Sequence, residues 1–177
     1  LDTRGRETLT ITGKNFGPRV AFIDLLTLGG RELGSKSNPL CTITVPHSEI
    51  QCDTLPGTGA SHFLRLKIRG QKASCRNETE TCTLSYYAPR IDRVTGPSGR
   101  GATLDNNRLA TRGNESVVLD GDMFGPAGTL LSGFYTNNQL ENTLSGQIYA
   151  ASGCNVTLAH VQITCTTVAG VGTEHHW

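Results

Sequence analysis

The chain has 177 residues, with 16 Lys+Arg against 15 Asp+Glu and a formal net charge of +1. A balance so close to neutral offers no field for capturing a polyanion or an acidic membrane surface, so neither nucleic acid nor direct membrane contact is expected. A 36% hydrophobic share with 21 Gly excludes a disordered chain, and no run approaches the ~18 apolar residues of a membrane helix; the best, Val20 to Leu28, is broken by Asp24.

In chain order, the first predicted strand carries Leu9 and Ile11 alternating with Thr8, Thr10 and Thr12. Gly13 lets this strand turn tightly, Phe16 plugs the end of a sandwich, and Gly17-Pro18 fixes the exit direction. Gly29-Gly30 marks the next turn. Ile43 and Val45 then alternate with Thr42 and Thr44, and Pro46 and Pro56-Gly57 punctuate the chain again. Leu64, Leu66 and Ile68 alternate with Arg65, Lys67 and Arg69 before Gly70. Each set has period two, which puts apolar residues on one face of an antiparallel sheet and polar residues on the other. Short strands with frequent turns indicate a β-sandwich, and no helical run is present.

The sequence then repeats itself. Thr3 to Pro18 aligns without a gap on Thr111 to Pro126, at an offset of 108. Cys41 to Gly59 aligns on Cys154 to Gly172, at an offset of 113, so five extra residues fall between Ala127 and Gly153 of the second copy. Such an insertion belongs in a surface loop or an extended hairpin. The second copy opens with Ala88-Pro89-Arg90-Ile91-Asp92-Arg93-Val94, and nothing equivalent precedes Thr3; Trp177 corresponds to Leu64, so nothing equivalent to Arg65–Tyr87 follows it. The expectation is two tandem modules, residues 1–88 and 89–177, the first without its opening strand and the second without its last ones.

Six cysteines and three Asn-x-Ser/Thr acceptors point to an oxidising, secretory setting. The second copy holds Cys154 and Cys165, which most simply pair with each other. By equivalence Cys41 pairs with Cys52, leaving Cys75 with Cys82. A bridge closing so short a loop contributes ~2–3 kcal/mol by restricting the unfolded chain. The glycan acceptors are Asn77, Asn114 and Asn155, of which Asn77 lies between two cysteines and Asn155 directly follows one. Disulfides are favoured over a metal site because the chain has no Cys-x-x-Cys spacing.

Pro89-x-Ile91, Thr111-x-Gly113, Gly121-x-x-Phe124-Gly125-Pro126 and Ile163-x-Cys165-x-Thr167 together resemble the IPT/TIG module, the immunoglobulin-like fold shared by plexins and transcription factors. Thr3-x-Gly5, Gly13-Lys14-Asn15-Phe16-Gly17-Pro18 and Ile50-x-Cys52-x-Thr54-x-Pro56-Gly57-x-Gly59 carry the same resemblance in the first copy, so it covers nearly the whole chain. It implies an all-β, Greek-key sandwich of seven strands in each copy. The second copy departs at Val168-Ala169, where the first has Leu55-Pro56 and where a softened turn is expected.

Residues suited to chemistry are few. His47, His62, His160, His175 and His176 are the candidate ligands or bases, but His62 and His175 share a repeat position at the start of a strand, and adjacent His175 and His176 point to opposite sides of a strand. No nucleophile elbow or Ser-His-Asp arrangement occurs. Asp120 and Asp122 correspond to Thr12 and Lys14 in the first copy, which favours a solvated turn over a catalytic pair. No catalytic residue, metal site or cofactor is expected. Arg65, Lys67, Arg69, Lys72 and Arg76 form the most basic segment, read as a solvated sheet face that also discourages edge pairing rather than as a site for an acidic partner.

These features favour a non-catalytic structural or adhesive segment of a large extracellular or cell-surface glycoprotein. It acts as a stiff spacer and protein-interaction unit, as in the shaft of a filament such as a flagellar hair, with neighbouring modules or chains as partners. The alternative is an accessory module of a secreted glycan-active enzyme, for which Tyr86, Tyr87, Tyr135, Tyr149 and Trp177 are the candidate sugar-stacking aromatics. Duplex DNA binding conflicts with the cysteine pairs, the glycan acceptors and the charge balance.

Overall fold

A computed structural model of the chain describes residues 1–19, 23–35, 40–74, 82–96, 109–137, 148–171 and 175–177, and every regular element within them is a β-strand. The chain divides into two compact units, Leu1–Ala88 and Pro89–Trp177. All strand pairs are antiparallel.

The first unit contains β1 (Thr8–Thr12), β2 (Ile23–Leu28), β3 (Arg31–Gly34), β4 (Cys41–Val45), β5 (Glu49–Asp53), β6 (His62–Ile68), β7 (Gln71–Lys72) and β8 (Thr83–Leu84). They form one sheet in the order β1-β5-β4 and another in the order β3-β2-β6-β7, with β8 pairing the start of β6. One core joins the two sheets. Ile50, Cys41 and Cys52 come from the first, and Ile23, Leu26, Leu28, Leu33 and Leu66 from the second, with Phe16 closing the end. Burying side chains of this size stabilises the unit by ~1.5–3 kcal/mol each, which is why period-two alternation selects the inward face. On β6 the alternation holds throughout: Leu64, Leu66 and Ile68 turn inward while Arg65 and Lys67 are exposed. On β4 it does not. A register shift between Ile43 and Val45 turns Val45 outward, leaving it 47% exposed at the hairpin end instead of on the core face.

The second unit contains β9 (Arg90–Thr95), β10 (Ser116–Asp122), β11 (Gly133–Asn137), β12 (Ile148–Leu158), β13 (Gln162–Thr166) and β14 (His175–His176), in the order β14-β11-β12-β13-β10-β9. The long β12 serves both ends of this sheet. Its first part, Ile148 to Ala151, pairs β11, and the part from Ser152 to Leu158 pairs β13. The core collects Leu119, Phe124, Cys154, Val156, Ile163 and Cys165, with Val94, Leu131, Ala151 and Trp177 against it. Part of the expected insertion falls at residues 138–147, outside the described residues.

Two disulfides are described, Cys41–Cys52 and Cys154–Cys165, each with a sequence separation of 11. Each joins neighbouring strands of one sheet, β4 to β5 and β12 to β13. Their cysteines are only 1–3% exposed, so the sulfurs belong to the core. Cys82 is also disulfide-bonded; its expected partner Cys75 lies outside the described residues. A glycine packs on each described bridge: a β-carbon on Gly34 would stand 2.7 Å from Cys41 Sγ, and one on Gly133 would stand 2.6 Å from Cys154 Sγ.

Backbone torsions recur along with the sequence. Gly5 and Gly113, Arg6 and Asn114, Asn15 and Met123, Gly17 and Gly125, and His47 and His160 are five corresponding pairs with positive φ. At Gly113 (φ +68°) an added β-carbon would also meet the Val168 carbonyl carbon at 2.3 Å, whereas at Gly128 (φ +80°) it would meet nothing. Gly128→Ala is therefore expected to cost ~1 kcal/mol from the left-handed backbone alone, and Gly113→Ala ~3 kcal/mol or more. Urea unfolding followed by the fluorescence of Trp177, the chain's one tryptophan, reports on the second unit and separates the two variants.

Candidate functional site

The residues that carry the sequence pattern converge on one clasp, built once in each unit. In the first unit, Thr54 is 3% exposed; its Oγ1 accepts from Glu7 N at 3.0 Å and its amide donates to Glu7 O at 2.9 Å. Arg6 N donates to Thr54 O at 2.8 Å, and the Glu7 carboxylate turns back to accept from Asp2 N. The second unit repeats this on Thr167, Glu115, Asn114 and Ala110, with Glu115 N to Thr167 Oγ1 at 3.1 Å and Ala110 N to Glu115 Oε2 at 2.6 Å. Gly57 N to Thr3 O and Gly170 N to Thr111 O complete the two clasps at 3.0 and 2.9 Å, so the turn keeps its hydrogen bond despite Val168-Ala169. Sequence reasoning missed Glu7, Glu115, Thr54 and Thr167 as a linked group. The signal was present, because each pair matches at the repeat offset.

At the other end of the strand, Phe16 and Phe124 are buried plugs, as their spacing implies. Their amides donate to His47 O at 3.1 Å and His160 O at 3.0 Å. The role expected of Gly13 and Gly121 is corrected. Neither has positive φ. A β-carbon on Gly13 would strike the Phe16 ring at 2.4 Å, and one on Gly121 would strike the Arg90 carbonyl oxygen at 2.0 Å and the Phe124 ring at 2.6 Å, so Gly13 makes room for the plug and Gly121 for both the plug and β9. The left-handed turn residues are Asn15 and Gly17 in one unit and Met123 and Gly125 in the other.

The histidines are built into the backbone framework. His47 and His160 occupy corresponding left-handed hairpin positions, and their amides donate to Gly17 O and Gly125 O at 2.8 and 2.7 Å. The His62 ring sits 2.8 Å from Thr58 O through Nε2 and edge-on to Tyr86, with centroids 5.5 Å apart. His175 and His176 pair with β11 through β14, and their side chains lie outside the described part of the structure. Among the described residues no group of three His, Cys, Asp or Glu is placed to hold a metal ion.

Asp120 and Asp122 lie in β10 rather than in a turn. Asp120 accepts from Gln162 Nε2 at 3.1 Å and pairs with Arg93 of β9 at 2.9 Å. Asp122 Oδ1 accepts from Met123 N. The Gln162 hydrogen bond first, then the Arg93 guanidinium, hold the Asp120 carboxyl below its ordinary range.

The aromatic candidates divide by burial. Tyr135 and Tyr149 are 2% and 5% exposed and stacked at 5.2 Å, and Trp177 stacks on Tyr135 at 4.8 Å. Both hydroxyls are used internally, Tyr135 donating to Val168 O at 3.1 Å and Tyr149 to Val171 O at 2.8 Å. Tyr86 is half-buried and donates to Leu55 O at 2.9 Å, and burial pushes its hydroxyl pKa up. Tyr87 is 59% exposed. On β6 and β7, Arg65, Lys67 and Lys72 are exposed, as is Arg69 in the turn between them, whereas Arg76 lies outside the described residues. Of the glycan acceptors, Asn114 is exposed, Asn155 is half-buried in β12, and Asn77 lies outside the described residues.

One recess stands out. A groove of about 850 Å³ opens in the first unit between Ile11, Phe16 and Lys14 on one side and Leu66, Ile68 and Lys72 on the other.

A carboxyl whose folded pKa is depressed stabilises the fold above the unfolded pKa, near ~3.9, and loses that contribution as pH falls through the folded value. Asp120→Asn is therefore expected to lower stability at neutral pH, and the gap to the parent chain should close on acidification below ~pH 4. Urea midpoints measured across pH by Trp177 fluorescence check this.

No family model matches the chain, and comparison with curated proteins and with solved structures finds no match.

Proposed function

We propose that the chain is a non-catalytic structural and protein-interaction segment of an extracellular or cell-surface glycoprotein, formed by two tandem immunoglobulin-like sandwiches of the IPT/TIG kind. One observation carries this reading: the buried residues that define the repeated pattern are occupied in holding the fold. Thr54 and Thr167 hold the clasps, Phe16 and Phe124 fill the ends, and the paired cysteines lie inside the cores. Here the buried threonines of the pattern are bonded to backbone amides. The buried disulfides fit an oxidising compartment.

Stiffness follows from the same construction. Short antiparallel strands locked by an internal bridge resist extension, which suits a spacer in an adhesive array or a filament such as a flagellar hair. Partners are then neighbouring modules or chains of the same assembly. The accessory-module alternative receives no comparable support, because Tyr135 and Tyr149 are buried and their hydroxyls already bonded.

Secretion of the chain from eukaryotic cells, followed by intact mass under non-reducing conditions, tests the reading. Three disulfides are expected, and enzymatic deglycosylation should remove mass at Asn114, Asn155 and Asn77. Six free thiols together with no glycan would overturn the extracellular assignment.

A further inference from the structure

The glycan acceptor Asn155-Val156-Thr157 is closed to an enzyme in the folded chain. It lies in the interior of β12, where Asn155 pairs Thr164 of β13 on one side and Leu130 on the other. Val156 N donates to Thr129 O, Val156 O accepts from Gly128 N, and the Val156 side chain is 2% exposed. The Thr157 hydroxyl donates to Gln162 Oε1 at 3.2 Å and lies 3.1 Å from Thr164 Oγ1. Transfer of an N-linked glycan needs the acceptor backbone and its hydroxyl free to enter the transferase, which is why such acceptors belong in surface loops. Asn114 differs, being exposed and at positive φ ahead of β10.

The strand that closes the acceptor is β13, and the bridge fixes β13. Cys154 directly precedes Asn155, and Cys165 directly follows Thr164. Cys154–Cys165 therefore locks the pairing that covers the acceptor. An unbridged two-stranded hairpin is marginally stable, so it exposes the acceptor repeatedly on the ~1–10 μs scale of hairpin formation. The reverse order is permitted. Cys154 and Val156 turn into the core, and half-buried Asn155 between them turns to the outer face, so a glycan there does not obstruct the bridge. Bridge first excludes the glycan, whereas glycan first leaves the bridge free to form.

The two events fall on one timescale. The chain from Asn155 to Cys165 is made within ~2 s at ~5–20 residues per second, and disulfides form in seconds or longer. Asn114 precedes both cysteines in the chain, so it meets the transferase before either is made. The first unit has Thr42-Ile43-Thr44 in the corresponding place, so Cys41–Cys52 closes no acceptor.

We infer that closure of Cys154–Cys165 sets glycan occupancy at Asn155, so that the chain is made in two forms, with and without a sugar on β12. In the transfer, Asn155 Nδ2 displaces the lipid pyrophosphate from the anomeric carbon of a donor oligosaccharide and releases one proton. In closure, the two thiols give two electrons and two protons to a disulfide oxidant, which leaves as two thiols. The redox poise of the compartment thereby decides whether the outer face of β12 and β13 is capped by sugar or open to a neighbouring module. The inference rests on the extracellular glycoprotein reading.

Expression of the full chain in eukaryotic cells tests it. Occupancy at each acceptor is read by mass spectrometry of peptides from the intracellular chain after enzymatic deglycosylation, which requires neither folding nor secretion. C165S removes the bridge and leaves the acceptor and Cys154 unaltered. The unoccupied fraction at Asn155 is expected to fall roughly threefold or more in C165S, and equally in the parent chain made with dithiothreitol, because no seconds-scale closure then cuts the transfer short. C52S, which removes the other bridge, should leave Asn155 as in the parent, and Asn114 should not change in any chain. Equal occupancy at Asn155 in the parent and C165S, or an equal rise in C52S, would overturn the inference, while glycan at Asn114 would leave the reading beneath it standing. Absence of glycan from every acceptor would overturn both.

Discussion

In each unit a buried disulfide lies within the apolar core and ties two neighbouring strands together. Units of the size of Leu1–Ala88 and Pro89–Trp177 bury a limited fraction of their surface, so the bridge adds to the apolar cores around Leu26 and Ile50 in one and Leu119 and Val156 in the other. Cys41–Cys52 and Cys154–Cys165 tie adjacent strands at the middle of the core. A bridge within one sheet fixes the register of its hairpin, and register decides which residues turn inward. The bulk of the bridge is accommodated from the opposite side by an absent side chain, at Gly34 in one unit and Gly133 in the other.

From that hairpin the neighbouring strand is held by backbone hydrogen bonds as well as by apolar packing. The clasp around Thr54 or Thr167 anchors one end of the strand before the hairpin, and the phenylalanine plug anchors the other. Thr54 and Thr167, buried at the clasps, have both hydroxyl and amide bonded, as a small core requires of the polar groups it takes in. This frame leaves chemistry to the surface. There the units differ: Asp120 and Asp122 stand opposite Arg93 and Arg90 in one, where the other has Thr12 and Lys14.

Much of this was legible in the sequence because period-two alternation and repetition are local, additive signals. The alternation of Leu64, Leu66 and Ile68 with Arg65 and Lys67 describes β6 correctly, and the repeat gives the pairing of Cys154 with Cys165 and of Cys41 with Cys52. The failures have a common cause. Val45 turns outward because one register shift inverts the face of everything beyond it. Asp120 and Asp122, expected in a solvated turn because Thr12 and Lys14 replace them in the first copy, lie in β10, where β9 supplies an arginine for Asp120. Gly13 was assigned a torsional role when the Phe16 ring is what excludes a side chain there.

The sequence by itself determined the all-β class, the repeat and the described cysteine partners, since these follow from spacing along one chain. Only the tertiary structure decided what fills each space. Leu55 O and Val168 O are corresponding atoms, yet Tyr86 bonds one and Tyr135 the other, from unrelated positions in the repeat. Gly57 and Gly170 likewise pack on Tyr86 and Tyr149. A core needs a ring of the right size and a hydroxyl at the right carbonyl, but not from a given residue number, so any strand that passes can supply them. Among the described strands β1 pairs β5, whereas its counterpart β10 lies between β13 and β9. Burial of equivalent residues depends on which strand lies beside them, and no pattern within the strand itself encodes that.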